Sequence, residues 1–164
     1  MSEDVRVHPN IKAVQAVLRA AGGTGQVREL DKAVHTAAAA ADLLGVTVAQ
    51  IANSLVFAAD YAGRVEPVLV LTSGAHRVDT AKVAALLGAD QVRRADPDFV
   101  RTHTGQRIGG VAPVGHPAPI RTLVDTALAG YDEIWAAGGV PWAVFPTSYS
   151  ELIRMTAGTP ADVG

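Results

Sequence analysis

The chain is 164 residues long, 49% hydrophobic, and carries a formal net charge of −2. That size and apolar content suit a packed globule, while no apolar run approaches the ~18–20 residues that span a bilayer. The charge balance excludes a protein that grips long nucleic acid through many phosphates, though a short nucleic-acid end needs only a few local cations; the absence of cysteine excludes disulfides, thiolate metal sites and a cysteine nucleophile.

The opening MSEDVRVHPN is acidic and lacks an apolar h-region, so no secretory signal is predicted and a cytoplasmic protein is the default expectation. From His8 to Ala21, Ile11, Val14, Leu18 and Ala21 recur at helical spacing, with Pro9 in the first turn and Gly22-Gly23 as the stop. Gln26 to Leu30 reads as a short strand. Thr36 caps an alanine-rich helix that ends at Gly45, and Thr47 opens one further turn. The run IANSLVFAA, 51–59, reads as a strand apolar on both faces, which places it centrally or in a closed sheet. Residues 60–64 read as a hairpin turn and PVLVLTS, 67–73, as the returning strand. Asp79 caps a helix to Gly88, QVRRA reads as a strand, and Asp96-Pro97 opens a helix to about Thr104.

The stretch RIGGVAPVGHPAP, 107–119, then interrupts the apolar chain with three glycines and three prolines. After it, IRTLVD reads as a strand, TALAG as a short helix, and YDEIWAAGG with VPWAVFP as a hairpin. Thr147 or Ser148 caps a last helix through Met155, stopped by Gly158. Two hairpins among interleaved helices predict one mixed α/β domain over residues 1–164. Its sheet is expected to be curled, barrel-like and surrounded by helices.

The chemistry open to these residues is narrow. There is no G-x-S-x-G elbow, no P-loop and no G-x-G-x-x-G. The five histidines show no metal-ligand spacing, so no metal is expected. The glycine loop has two readings. It is a structural loop over a sheet edge, or Gly109 and Gly110 aim backbone N–H groups at one point as an oxyanion hole, in a frame stiffened by proline. Asn53 shares a strand face with Ile51, Leu55 and Phe57, and is either a satisfied structural amide or a polar group on a pocket wall. Asp125 caps the TALAG turn or joins a site. His116 braces the loop or touches a ribose hydroxyl or an amine. Arg93, Arg94, Arg101 and Arg107 form either a solvated face or contacts to phosphates.

The order of IANSLVF, PVLVLTSG, AKVAALLG, TGQRIGGVAPVGH and LVDTAL, over roughly residues 25–160, resembles the YbaK/prolyl-tRNA synthetase-associated domain family of bacterial editing domains. TGQRIGGVAPVGHP is the most specific part. The resemblance implies a barrel-like mixed sheet and hydrolysis in trans of the ester joining a wrong amino acid (alanyl, cysteinyl, seryl or threonyl) to the 3′ adenosine of tRNA. It implies no metal, cofactor or membrane, and the aminoacyl-tRNA 3′ end, with a synthetase as a further candidate partner. It matches Gly109, Gly110 and Pro113 to the family's carbonyl-positioning loop; with the residue readings above, Gly109, Gly110 and Asn53 are the candidate catalytic residues and Ser54, Val111, Pro113, His116 and Asp125 the candidate substrate contacts. Family members carry K-S/T-L-V where this chain has N-S-L-V, so Asn53 brings no positive charge. Two alternatives therefore stand beside the deacylase: a module that binds aminoacyl-tRNA or a synthetase without hydrolysis, and a hydrolase for another small activated ester.

Overall fold

Amides at helix N-termini lack intrahelical partners, so side-chain acceptors fix where helices begin. In the computed structural model, which describes residues 7–23 and 25–164, α1 (Pro9–Ala20) begins with His8 Nδ1 accepting the Asn10 amide. Thr36, Asp79, Asp96 and Ser148 each accept an amide three residues on, and open α2 (Ala37–Leu44), α3 (Thr80–Leu87), α4 (Pro97–Thr104) and α5 (Tyr149–Thr156). Left-handed Gly45, Gly88 and Gly105 end α2, α3 and α4. The expectation for the opening residues lies, for residues 1–6, outside the described part. Among the described residues, no helix is long and apolar enough to cross a membrane.

The strands are β1 (Arg28–Glu29), β2 (Ile51–Tyr61), β3 (Arg64–Ser73), β4 (Gln91–Arg94), β5 (Arg121–Asp125), β6 (Ile134–Ala137), β7 (Ala143–Thr147) and β8 (Thr159–Ala161). They form one mixed sheet in the order β1-β7-β6-β2-β3-β5-β8, with β4 also paired to β2. The mixed sheet among helices agrees with expectation; it is open, with β1 and β8 as its ends, and does not close into a barrel. β2 is central, as its two apolar faces require. Leu69 and Leu71 of β3 pack with α1, α4 and α5 on one side of the sheet, while Val68 and Val70 pack with α3 on the other.

Three local differences have physical causes. The polar residues 60–64 are mostly strand: Tyr61 pairs with Arg64, leaving Ala62-Gly63 as the turn, because Asp60 is held by Arg93 at 2.8 Å and Arg64 lies over the Tyr61 ring. Helix α5 ends on left-handed Ala157 (φ 53°) rather than on Gly158, where a Cβ would meet Val124 Cγ2 at 2.8 Å. Strand β8 was not expected; its Pro160 is tolerated because β8 sits at an edge of the sheet.

Candidate active site

The loop between α4 and β5 is shaped by its backbone. The Gly110 amide donates to the Arg107 carbonyl at 3.0 Å, closing a four-residue turn with Gly109 at φ 97° in its third position. Positive φ at that position is what a type II turn demands of glycine. Gly110 is glycine for another reason. A Cβ there would lie 2.6 Å from the Val140 carbonyl carbon and 2.7 Å from the Pro141 nitrogen, so the loop packs directly on the β6–β7 connection.

Side chains hold the rest of the loop. Gln106 is buried; its Oε1 accepts the Ala112 amide at 2.7 Å and its Nε2 donates to the Val114 carbonyl at 3.4 Å. Thr104 Oγ1 accepts the Gln106 amide at 3.0 Å. His116 Nε2 lies 2.8 Å from the Ala112 carbonyl, which can only accept, so this nitrogen carries the proton. Burial pushes the His116 imidazole below its ordinary pKa, against the weaker opposing effect of that hydrogen bond.

Beside this loop lies a cavity of about 350 Å³. Ile51 to Phe57 of β2 form one wall, and Ile108, Gly109 and Val111 another. Val34 to Ala37, Arg94-Ala95, Trp135 to Ala137 and Val140-Pro141 complete most of the rest. No Asp or Glu lines it, and Arg94 is its one permanently charged side chain. Arg94 is exposed and has no ion-pair partner among the described residues, whereas its neighbour Arg93 is committed to Asp60. No group of three or more candidate metal-ligating side chains occurs among the described residues.

The structure brings Asn53, Ser54, Gly109 and Val111 together on this cavity. Asn53 is half-buried, and among the described residues its amide has no hydrogen-bond partner, which places it on a pocket wall rather than in a satisfied core position. Ser54 Oγ and Trp135 Nε1 are buried without partners. The amides of Gly109 and Val111 are likewise unclaimed by any described residue, in contrast to that of Gly110.

Gly110, Pro113, His116 and Asp125 do not line the cavity. Pro113 is buried within the loop, and His116 braces it. Asp125 is wholly buried as a structural hub. Its Oδ1 caps the following turn through the Ala127 amide at 3.0 Å. Its Oδ2 accepts from the Ser73 amide at 3.0 Å and from Thr72 Oγ1 at 3.3 Å, and lies 2.9 Å from His76 Nδ1. Sequence reasoning missed His35, Gln106 and Trp135, and did not separate Arg94 from the neighbouring arginines. His35 lies so near the glycine turn that a Cβ on Gly109 would meet its Nδ1 at 3.0 Å. The spacing of lone polar residues gave no signal for these; only Gln106, adjoining the glycine loop, sat where a brace is needed.

A glycine turn set against one strand thus encloses a cavity with no carboxylate on its walls, inside a mixed sheet flanked by helices. The model of the aminoacyl-tRNA editing domain matches residues 31–155, and the chain belongs to that family. A solved structure described as a candidate trans-editing enzyme for prolyl-tRNA synthetase superposes with a TM-score of 0.86 at 41% identity, covering 96% of this chain and 98% of that one. The proline–tRNA ligase of Limosilactobacillus fermentum is 33% identical over 111 residues, which is 65% of this chain but 19% of the ligase. The chain thus spans about a fifth of that ligase's length. The Bacillus subtilis protein YwhH is 26% identical over 130 residues, covering 79% of this chain and 80% of YwhH.

Proposed function

We propose that this protein is a trans-acting aminoacyl-tRNA deacylase that removes a small wrong amino acid (alanyl, cysteinyl, seryl or threonyl) from the 3′ adenosine of tRNA. The observation that carries this reading is the pair of unclaimed amides, Gly109 and Val111, on the same cavity as Asn53 and Ser54. Water adds to the ester carbonyl carbon, and the carbonyl oxygen gains negative charge. Two preorganised N–H donors at that oxygen lower the barrier. The tetrahedral intermediate then collapses, breaking the bond to the ribose oxygen, which takes up a proton; free amino acid and deacylated tRNA leave.

The donor pair differs from the one the glycines alone suggest. Gly110 spends its amide on the turn, so its part is to let the loop pack on Val140, while Gly109 and Val111 face the ester. An aminoacyl ester is already activated, so positioning and charge stabilisation suffice without a strong side-chain base. Arg94 supplies the cavity's positive charge toward the terminal phosphate, the task that uncharged Asn53 does not perform. A second reading, capture of aminoacyl-tRNA without hydrolysis, is favoured by Asn53 itself.

The test is hydrolysis of alanyl-, cysteinyl-, seryl-, threonyl- and prolyl-tRNA carrying the proline anticodon, with Gly109→Ala as control. Selective loss of one mischarged species, abolished in the variant, supports the deacylase. Binding of the same species without turnover supports the capture module.

A further inference from the structure

Strand β2 meets β3 along ten residue pairs, but its other edge is interrupted. β6 pairs there only with Ile51 and Ala52, and β4 only with residues 57 to 60. No strand covers the edge from Asn53 to Val56. The direction of the backbone groups follows from two hydrogen bonds. The Ile51 carbonyl accepts from the Gly74 amide at 2.8 Å on the β3 side, and the Asp60 carbonyl accepts from the Asp90 amide at 2.8 Å on the β4 side. Backbone groups alternate along an antiparallel pair, so odd-numbered residues of β2 turn toward β3 and even-numbered residues away from it. The N–H and C=O of Ser54 and the N–H of Val56 therefore point into the interruption, and this segment lines the cavity. Backbone polar groups that leave water without a partner cost free energy, so a ligand filling this space must answer them.

We propose that this bare edge recognises the α-ammonium group of the aminoacyl ester, with the Ser54 carbonyl as its principal acceptor; the inference rests on the deacylase reading of the site. An α-ammonium offers three donors and no acceptor, so it needs oxygens. The cavity has no carboxylate to receive it. The Ser54 carbonyl has a free lone-pair direction there, and Ser54 Oγ on the same residue is a second oxygen without a partner. The Val56 and Ser54 N–H groups lie beside that carbonyl and suit the acceptor oxygens of the ribose. The site thus selects α-aminoacyl esters over α-hydroxyacyl or N-blocked ones by main-chain hydrogen bonding, independently of the side chain being edited.

Two non-hydrolysable probes test this on the full chain: 3′-(L-alanylamino)-3′-deoxyadenosine and its lactyl counterpart, in which a hydroxyl replaces the ammonium. Binding is measured by calorimetry, and the backbone carbonyl and amide resonances of residues 53–56 are followed by NMR. The expected result is at least about tenfold tighter binding of the amino probe, the weight of one hydrogen bond to a charged group. The largest carbonyl shift should fall on Ser54. Equal affinities, no binding of either probe, or carbonyl shifts confined to other residues overturn the proposal. These probes do not require turnover. A chain that prefers the amino probe but hydrolyses no aminoacyl-tRNA therefore retains this recognition and loses only the deacylase reading.

Discussion

The Ala112 amide donates to Gln106 Oε1 at 2.7 Å, across the glycine loop that the turn at Arg107 opens. Gln106 is 1% exposed, so this bond and the one to the Val114 carbonyl form out of water. Replacing Gln106 by Leu fills the volume but leaves both backbone groups unpaired. A buried unsatisfied group costs about 1–3 kcal/mol, so Gln106→Leu should lower the melting temperature by several degrees and reduce turnover at temperatures where the variant is folded. Circular-dichroism melting with a matched rate assay reads both; an unchanged Tm removes Gln106 as the brace.

The two adjacent glycines should fail in different ways. A side chain at Gly110 meets only backbone atoms of Val140 and Pro141, which cannot swing aside. Gly110→Val is expected to destabilise the fold by on the order of 3 kcal/mol or more through overpacking, so its loss of activity says little about chemistry. Gly109→Ala meets the His35 ring at the cavity mouth and a positive φ, a strain of about 1–2 kcal/mol. It should stay folded while single-turnover deacylation drops. Parallel unfolding and rate measurements on the pair check this; equal stability of the two variants contradicts the packing account.

His116 makes a specific contribution to pH dependence. Its pKa is lowered in the fold, so between the folded value and the ordinary value of about 6.5 the unfolded chain binds more protons. Stability therefore rises with pH through that window. It is unaffected by His116 above about pH 6.5 and falls as the pH drops toward the folded pKa. His116→Gln, which keeps a donor for the Ala112 carbonyl, should flatten this part of the curve. Urea denaturation from pH 7.5 to 5 in both proteins checks it, and parallel curves exclude His116 as the source.

Asp125 belongs to the scaffold by its contacts. Removing its carboxylate orphans the Ser73 and Ala127 amides at once and leaves the Thr72 hydroxyl only its 3.4 Å bond to the Ser73 carbonyl. Asp125→Ala should cost about 3 kcal/mol or more in stability, since each buried orphan costs about 1–3 kcal/mol. At a temperature where the variant is folded, KM should be near that of the parent. A normal melt with lost turnover would return Asp125 to the site.

What the sequence made legible was local chemistry. Thr36, Asp79, Asp96 and Ser148 announce helices because a cap acts within three residues, and Asn53 stands out because a strand alternates its faces. The cavity was not legible, because it depends on where β4 and β6 stop along β2, and those registers join segments some forty to eighty residues apart. Arg94 stayed hidden for the same reason: nothing near it in the chain tells that Asp60 takes Arg93 and leaves Arg94 to the pocket. The edge strand β8 was obscured by Pro160, a residue that argues against a strand everywhere except at such an edge.

Arg94 offers the clearest test of how the site does without a lysine at position 53. A phosphate held by an arginine releases counterions, and for single strands each such contact contributes about 0.7 to the slope of log affinity against log salt. Arg94→Ala should weaken binding of an oligonucleotide ending in the tRNA 3′ sequence and flatten that slope by about 0.7. Arg93→Ala, whose guanidinium already faces Asp60, should change it little. Adding Asn53→Lys to the Arg94→Ala protein returns a cation to the same cavity and should recover much of the lost affinity. Fluorescence anisotropy across a salt series for the four proteins decides the matter: an Arg94→Ala slope equal to that of the parent places the phosphate elsewhere. Recovery by the lysine would mean that the two positions supply one charge by different routes.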